Sequence, residues 1–529
     1  MKTMKKTFLP IIIAVSIIIG VLIGNFYAIR QTKNFAKNTN KISEVLNVIN
    51  NAYVENIDMD SVLESALTNI IAQLDPHSSY IPASELEGVN EELAGKFYGI
   101  GVQFNLQSDT IYIINVVAGG PSERAGLLAG DKIVAVNDSA FVGKTITNKK
   151  VLETLKGEKG TEVKVGIVRK GVNKVLNFSL IRDEIPVKSI DIAYMIAPKI
   201  GYISVNKFGE TTQQEFQDAI AKLMHSGAQK MIIDLRGNAG GYMNAAQNML
   251  NQFLKKGDLI VYMEGAHQKR VNFVADGSGS CQNIELAVLI DEFSGSASEI
   301  FAGAIQDNDR GAIIGRRSFG KGLVQQQITL NDGSALRITV ARYYTPSGRC
   351  IQKPYKRGDS EDYQLDILNR YQRGEFYSQD SIRQDTADVY KTVGGRVVYG
   401  GGGIMPDIFV PQDTTLLTHF TTEIANSGLI YKFALQYTEN HRIDLKKIKD
   451  WQTMQQKLES ENLVEKTVDF CRKNGVKSAN DMNLKSKQYI EHQAIAYIIR
   501  NILDDEGFFP YYNQNDECVK KAVERLMKK

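Results

Sequence analysis

The sequence predicts a multidomain α/β protein, and three observations support this class. A chain of 529 residues is too long for one ordinary core, so two to four domains are expected. Short β runs separated by Gly and Asp pairs fill residues 97–182, whereas strands and helices alternate from Lys199 onward. After Gln412 the pattern is mostly helical and charged. The predicted parts are an N-terminal segment at 1–30, a helical region at 31–94, a small all-β unit at 95–183, an α/β core at 184–412 and a helical extension at 413–529.

Composition excludes some partners and sites. The net charge of +3 is small for the length, and no basic run is interleaved with aromatic residues, so no nucleic-acid partner is expected. No Cys-x-x-Cys pair occurs, which argues against a zinc site. If the bulk of the chain is exported, disulfides can form among the four cysteines. Our hypothesis is that Cys281 pairs with Cys350, because both flank core strands.

The first element is an uncharged apolar stretch, Phe8 to Ile29, which follows three lysines and is long enough to cross a bilayer. A cleavable signal peptide would have a shorter apolar core and an Ala-x-Ala-like site after it. The run here ends in NFYAIRQTK, which offers no clear site. We therefore predict an uncleaved single-pass membrane anchor, with a signal peptide as the alternative.

Apolar residues recur at intervals of three and four between Ile42 and Leu74 and predict two helices. The segment LDPHSSYIP ends the second helix. His77, in this turn, is either a ligand or a turn histidine that hydrogen-bonds its neighbours, and we favour the second interpretation.

A serine-rich stretch, SGSASEIF at 294–301, follows an apolar strand. Ser296 can cap a helix, with Glu299 completing a Ser-x-x-Glu capping box. Capping needs only one hydroxyl, however, and this stretch supplies three. Small neighbours let a polypeptide backbone approach a serine oxygen, and a helix N-terminus offers N–H groups to a developing oxyanion. Both roles can coexist at Ser296.

A nucleophilic serine needs a base, and none of the six histidines lies in a glycine-rich or helix-start setting. A buried lysine with a lowered pKa is the other option. The segment SFGKGLVQQ places Lys321 between two glycines and beside apolar Phe319, Leu323 and Val324. This stretch alone leaves open whether Lys321 is a base or an ordinary turn residue.

The segment IIDLRGNAGGY is a strand followed by a loop with Gly237, Gly240 and Gly241. The loop is either a strand-to-helix turn that needs positive φ or a source of a second oxyanion N–H. A phosphate loop is weakly supported, because the Gly-x-x-x-x-Gly-Lys-Ser/Thr spacing is absent.

The segment FYGIGVQF offers backbone N–H groups at Tyr98, Gly99, Ile100 and Gly101 to a carboxylate, and the strand after it can accept a peptide by β-augmentation. The downstream PSERAGLLAGDKI is similar to the helix and Gly-Asp turn of PDZ domains. We therefore predict an inserted PDZ domain over 95–183.

Taken in order, LDPHSSYI, YGIG with PSERAGLLAGDKI, DLRGNAGG, SGSASEIFAGAIQD, GKGLVQ, YYTPSGRCIQ and GGGIMPD resemble the carboxyl-terminal processing (tail-specific) serine peptidases. The likeness runs from about Tyr53 to Val410. It implies a crotonase/ClpP-like peptidase core, no metal or organic cofactor, and a membrane-associated or exported location such as the bacterial periplasm or cell envelope.

The resemblance also implies roles for single residues. The family's nucleophile, general base, base-orienting glutamine and backbone oxyanion donors match Ser296, Lys321, Gln325, Ala297 and Gly240 or Gly241. Asp307 matches an acidic residue sometimes grouped with the dyad. If Asp307 lies on the helix that Ser296 starts, it is about 16 Å along the axis, so we interpret it as structural.

The sequence thus predicts an anchored serine endopeptidase whose PDZ domain captures apolar carboxyl-terminal tails of protein substrates and whose Ser-Lys dyad cuts them. PDZ position can gate the active site in this family, and residues 413–529 are expected to serve dimerisation or partner docking. One alternative is a catalytically inactive PDZ adaptor that recruits another protease. A second is a crotonase-like acyl-CoA enzyme, which would have no use for a PDZ domain.

Overall fold

The computed structural model describes residues 41–107, 109–382, 388–413, 418–476 and 482–528. The predicted membrane anchor, Phe8 to Ile29, lies outside these residues. Within the described ranges, no helix combines the length and the apolar character that a membrane span requires.

The N-terminal region is helical, as predicted. The chain divides into a unit that ends at Ile71 and a unit formed by Ala72–Lys529. Residues 41–52 form α1, and α2 spans Met59–Ala72. The segment after α2 contains β1 (Ser79–Ile81) and α3 (Ala83–Ala94).

The predicted all-β unit is a five-strand antiparallel sheet in the order β3-β4-β5-β7-β8, with a short β6 paired to β5. Alternate residues of its strands, such as Ile111, Ile113 and Val165, are buried. β2 pairs with β9 and joins the entry and exit of the unit. The bounds are β2 (Lys96–Gly99), β3 (Val102–Gln107), β4 (Thr110–Val116), α4 (Pro121–Ala125), β5 (Lys132–Val136), β6 (Ser139–Ala140), α5 (Asn148–Leu155), β7 (Glu162–Val168), β8 (Leu176–Ile181) and β9 (Asp183–Pro186).

The α/β core begins with a main sheet and its helices. Its strands are β10 (Ile190–Ala197), β11 (Ile200–Val205), β12 (Lys230–Asp234), β15 (Glu285–Ile290), β16 (Ala312–Gly315) and β21 (Ile408–Phe409) in that spatial order, parallel from β11 onward. Three helices cover one face: α6 (Thr212–His225), α7 (Met243–Leu250) and α8 (Ala297–Asp307). Every residue of α8 is buried. Near-continuous apolar strands are typical of parallel sheets covered on both faces.

A second, antiparallel sheet contains β13 (Leu259–Gly265), β14 (Gln268–Val274), β17 (Leu323–Thr329) and β18 (Ala335–Tyr344). β18 pairs with β1, β13 and β17. β1 forms the last part of LDPHSSYI. Its pairing with β18 brings the turn before it close to β17 and to Lys321, which precedes β17.

One segment between β18 and β21 has structure that the sequence patterns did not indicate. Residues 353–399, which we call the helical insertion, contain α9 (Glu361–Gln364), α10 (Asp366–Gln372) and a hairpin of β19 (Val389–Lys391) and β20 (Val397–Tyr399). The chain then returns to the main sheet as β21.

The extension after Gln412 is helical, as predicted, with its own apolar core. Its helices are α11 (His419–Ser427), α12 (Leu429–Leu445), α13 (Trp451–Glu459), α14 (Leu463–Lys473), α15 (Leu484–Tyr512) and α16 (Glu517–Met527). α16 packs on the main-sheet face opposite α8, where Val519 and Leu526 contact Ile232 and Leu289 in one apolar cluster.

The predicted disulfide is wrong, because all four cysteines are free thiols. Cys281 is buried in the main core, and its carbonyl accepts a hydrogen bond from Arg310. Cys350 follows β18, and its carbonyl accepts from the N–H of Gly401. The two thiols therefore serve different layers of the core.

Candidate active site

The site begins where two neighbouring parallel strands end. β12 and β15 pair in register, so the loops after them lie side by side. The hydroxyl of Ser294 donates to the carbonyl of Leu235, and that of Ser298 donates to the carbonyl of Asn238, both at 2.8 Å. Both serines are fully buried. Two of the three serines thus tie the loops together, and Ser296 is the partly exposed one.

Ser296 lies in a strained turn. Its φ of 53° and ψ of −113° fall outside the regions that L-residues favour, and α8 begins at the next residue. A sharp strand-to-helix turn of this kind presents the nucleophilic serine of α/β-hydrolases. The N–H of Ser296 donates to Glu299 Oε2 at 2.9 Å, so the predicted capping interaction is present as well.

The glycine loop lies directly against this turn. A Cβ on Gly240 would be 2.7 Å from Ser296 Cβ and 2.9 Å from the nitrogen of Ala297, and φ of Gly240 is 106°. The N–H of Gly240 donates to Asn238 Oδ1 at 2.8 Å. The bridge to Phe208 uses the Gly240 carbonyl and the N–H after Gly241. Among the described residues this leaves the N–H of Gly241, rather than that of Gly240, without a partner.

Lys321 lies on the loop before β17, and Gln325 lies on β17 itself. Lys321 Nζ donates to Gln325 Oε1 at 2.9 Å. Burial lowers the pKa of Lys321, and the nearby positive charge of Arg337 acts in the same direction. The amine is therefore neutral in a larger fraction of molecules than an exposed lysine would be.

Two buried side chains join the backbone of Ser296 to that of Lys321. Glu299 Oε2 accepts from the N–H of Ser296 at 2.9 Å and from that of Lys321 at 2.8 Å. The hydroxyl of Tyr343 shares its proton between the carbonyls of Lys321, at 2.5 Å, and Ser296, at 3.0 Å. Burial raises the pKa of Glu299 to about 7. The sequence indicated Glu299 only as a cap, and the one signal for Tyr343 was its place at the start of the motif YYTPSGRCIQ.

His77 lies at the site, although we had favoured a local turn role. The local role is present, since Asp75 Oδ1 accepts from the N–H of His77 at 2.9 Å. The carbonyl of His77 also accepts from Gln325 Nε2 at 2.6 Å, and its ring contacts Tyr363. Burial lowers the pKa of His77 to about 4, so the imidazole is neutral at pH 7. The position of LDPHSSYI at the head of the motif series was the available signal.

Asp307 lies at the end of α8 and has structural partners, as interpreted. Its Oδ1 accepts from Arg349 Nη2 at 2.8 Å, and its Oδ2 accepts from the hydroxyl of Ser347 at 2.7 Å. Both members of the ion pair with Arg349 are fully buried.

The predicted peptide-binding loop lies at the start of the edge strand β3. β2 ends at Gly99, Ile100 is 2% exposed, and Gly101 has φ of 74°. Among the strands that the structure describes, β3 pairs with β4 alone and so forms an edge of its sheet. Val151 and Leu155 of α5 belong to the same apolar cluster as Ile100. The arrangement supplies a free strand edge beside an apolar helix face, which β-augmentation requires.

Comparison with known families assigns three parts of the chain. Peptidase family S41 matches residues 199–363, and the PDZ domain family matches 99–180. A family of unknown function, DUF8443, matches 420–504.

Two bacterial relatives agree with these matches, and one solved structure is similar in sequence. A probable CtpA-like serine protease of Staphylococcus aureus (strain N315) is 32% identical over 369 residues, which cover 68% of this chain and 73% of the relative. A carboxy-terminal-processing protease of Bartonella bacilliformis is 35% identical over a region that covers 60% of this chain and 74% of the relative. The solved structure of the photosystem II D1 C-terminal processing protease has 27% sequence identity and a TM-score of 0.34. The match covers 58% of this chain and 89% of the solved chain.

Proposed function

Because the chain belongs to peptidase family S41, the carboxy-terminal-processing serine proteases, and contains a PDZ domain, we propose that its PDZ domain captures the carboxyl-terminal tails of protein substrates for cleavage by a Ser296–Lys321 dyad. One observation supports the dyad above all. Glu299 and Tyr343 each hydrogen-bond the backbone of both residues, which joins the backbone of the proposed nucleophile to that of the proposed base.

The chemistry follows from the groups present. Neutral Lys321 takes the proton of Ser296 Oγ as the oxygen attacks the scissile carbonyl. The N–H groups of Ala297 and Gly241 bind the oxyanion, helped by the positive end of α8. Lys321 then gives its proton to the leaving amine, and water releases the acyl-enzyme with the same base. Gln325 Oε1 accepts a hydrogen bond from the amine of Lys321 and keeps this amine oriented during these steps.

Tail capture is assigned to the loop of Tyr98 to Gly101 and the edge of β3. Backbone N–H groups of this loop would bind a terminal carboxylate, and the tail would add to β3 as a further strand. We propose apolar tails because the residues of α5 that pack in one cluster with Ile100 of this loop, Val151 and Leu155, are apolar.

Four finer assignments stay predictions: a crotonase/ClpP-like fold of the core, anchoring through Phe8 to Ile29, a periplasmic or envelope location, and a homo-oligomer. The adaptor alternative would leave Ser296, Lys321 and Gln325 without a use. The acyl-CoA enzyme alternative would leave the PDZ domain without a use.

The test is cleavage, by the full chain in detergent, of an unstructured protein with an apolar carboxyl terminus. Ser296→Ala and Lys321→Ala should each lose about 10³-fold or more in turnover, because nucleophile and base act as one unit. Circular dichroism and thermal unfolding check that both variants fold.

Equal cleavage by all three proteins would exclude the dyad, and tail binding without cleavage by any of them would favour the adaptor. A peptide with an amidated terminus should be cut more slowly than the same peptide with a free carboxylate. Indifference to the amide would contradict tail capture.

A further inference from the structure

The helical insertion reaches the lysine side of the active site through Tyr363 on α9. Tyr363 is 6% exposed, and its hydroxyl lies 2.7 Å from His77 Nε2. Gln352 Nε2 donates to the same hydroxyl at 3.3 Å. The contact joins residues 286 positions apart in the sequence.

The proton directions in this contact can be assigned. Gln352 Oε1 accepts from the N–H of Gly322 at 2.8 Å, which fixes the amide so that its NH₂ group faces Tyr363. The hydroxyl accepts that bond, and its own proton can be donated to His77 Nε2 when the imidazole carries its proton on Nδ1. Burial raises the pKa of Tyr363 and lowers that of His77 to about 4, so a neutral phenol meets a neutral imidazole.

From His77 the hydrogen bonds return to the dyad. The carbonyl of His77 accepts from Gln325 Nε2 at 2.6 Å, and Gln325 Oε1 accepts from Lys321 Nζ at 2.9 Å. This series of hydrogen bonds starts at the N–H of Gly322 and ends at the amine of Lys321, the residue that precedes Gly322 in the chain. We call this closed series the lysine ring; its members are Gly322, Gln352, Tyr363, His77, Gln325 and Lys321.

The ring determines which end of the Gln325 amide meets the lysine. An amide has an acceptor end and a donor end, and only the acceptor end attracts an amine that donates. The His77 carbonyl occupies the donor end of Gln325. The position of that carbonyl depends on the turn at Asp75 and on the ring contact with Tyr363.

We propose that Tyr363 is a positioning residue that acts through His77 and Gln325 to direct the amine of Lys321. The proposal rests on the proposed function. It assigns to the helical insertion the task of aligning the general base. Packing supports the assignment, since Lys353 Nζ lies 4.1 Å from the ring centres of both Tyr363 and Phe319, two residues before Lys321.

The test is Tyr363→Phe in the full chain, which removes one hydroxyl and keeps the ring. We expect turnover to fall about tenfold with KM unchanged, because a base that points away from its target slows only the chemical step. The acid limb of the pH profile should move to lower pH, because an ammonium that loses an acceptor has a lower pKa.

Tyr355→Phe is the matched control. Its ring lies 6.4 Å from that of Tyr363, but its hydroxyl bonds Arg342, outside the lysine ring. We expect wild-type turnover and pH profile from this variant. Wild-type turnover and pH profile in Tyr363→Phe as well would overturn the proposal.

A double variant tests the route. If Tyr363 acts through Gln325, then Tyr363→Phe should cost nothing further in a Gln325→Ala background. Equal losses in both backgrounds would show that Tyr363 acts elsewhere and would overturn the proposal. If Tyr363→Phe unfolds, His77→Phe is the substitute. It removes the same hydrogen bond between the Tyr363 hydroxyl and His77 Nε2 but keeps the backbone carbonyl of residue 77, so the same loss of turnover is expected. Cleavage by Lys321→Ala at the wild-type rate would instead refute the dyad itself.

Discussion

The two halves of the proposed dyad are built in opposite ways. Ser296 lies in a turn between adjacent elements, β15 and α8, and its neighbours Ser294 and Ser298 hold that turn to the next strand's loop. Lys321 Nζ donates to Gln325, Gln325 donates to the carbonyl of His77 in the turn that precedes β1, and the His77 ring contacts Tyr363 of the insertion. The nucleophile is thus fixed by local structure, whereas the base is assembled from remote segments. Any movement that regulates activity should therefore act on the lysine half.

Apart from the variants of Ser296 and Lys321 themselves, the largest effect on turnover is expected on the serine half, from Gly240→Ala. The new Cβ would lie 2.7 Å from Ser296 Cβ and from the carbonyl oxygen of Gly295, and the residue has positive φ. Because the rigid turn cannot yield, turnover should fall about 100-fold, the loss typical of a displaced oxyanion site.

Gly237→Ala is the matched control for this variant, measured by turnover and thermal unfolding. Gly237 also has positive φ but has open space at its Cβ position. It should lose some stability and little turnover. Equal turnover losses at both positions would mean that backbone strain, rather than contact with the serine turn, explains the effect.

A second prediction concerns Tyr343, which links the halves. Tyr343→Phe removes the hydrogen bonds to the carbonyls of Ser296 and Lys321, and we expect about a tenfold loss of turnover because the two backbones then move independently. Tyr344→Phe is the control, since the ring of Tyr344 stacks on Tyr262. Steady-state kinetics on a tail peptide measure both. If Tyr344→Phe loses as much, the effect belongs to β18 as a whole.

The smallest effect should come from charge near the lysine. Arg337→Gln removes a positive charge that lowers the pKa of Lys321, so that pKa should rise and the acid limb of the kcat profile should move to higher pH. At neutral pH the neutral fraction of Lys321 then falls, and turnover should drop about threefold. Arg337→Lys keeps the charge and should restore the profile. If the acid limb of the kcat profile does not move in Arg337→Gln, the charge of Arg337 does not contribute to the lowered pKa of Lys321.

The same contrast explains what the sequence could predict. Ser296 and the glycine loop were predictable, because each follows an apolar strand within a few residues. The helices and most strands of the core were predictable for the same reason. Lys321 and Gln325 needed the family resemblance, since the local pattern left the role of the lysine open.

Contacts between distant segments were not predictable. The partner of the His77 ring is 286 residues away, and nothing near Tyr363 marks it as a partner. The disulfide hypothesis failed similarly, because nearness to the same catalytic segments did not place Cys281 and Cys350 in one layer.

The packing of α16 on the main sheet also bears on how the chain folds as it is synthesised. Cys518 contacts the carbonyl of Ile314, 204 residues earlier, and Lys230 binds the carbonyl of Leu526, 296 residues later. The ribosome therefore completes the sheet's strands long before α16 exists to cover their apolar face. Until then this face is open to chaperones or to aggregation, and such long-range closure is slow. The peptidase core reaches its finished form late, which delays activity beyond the synthesis of its catalytic residues.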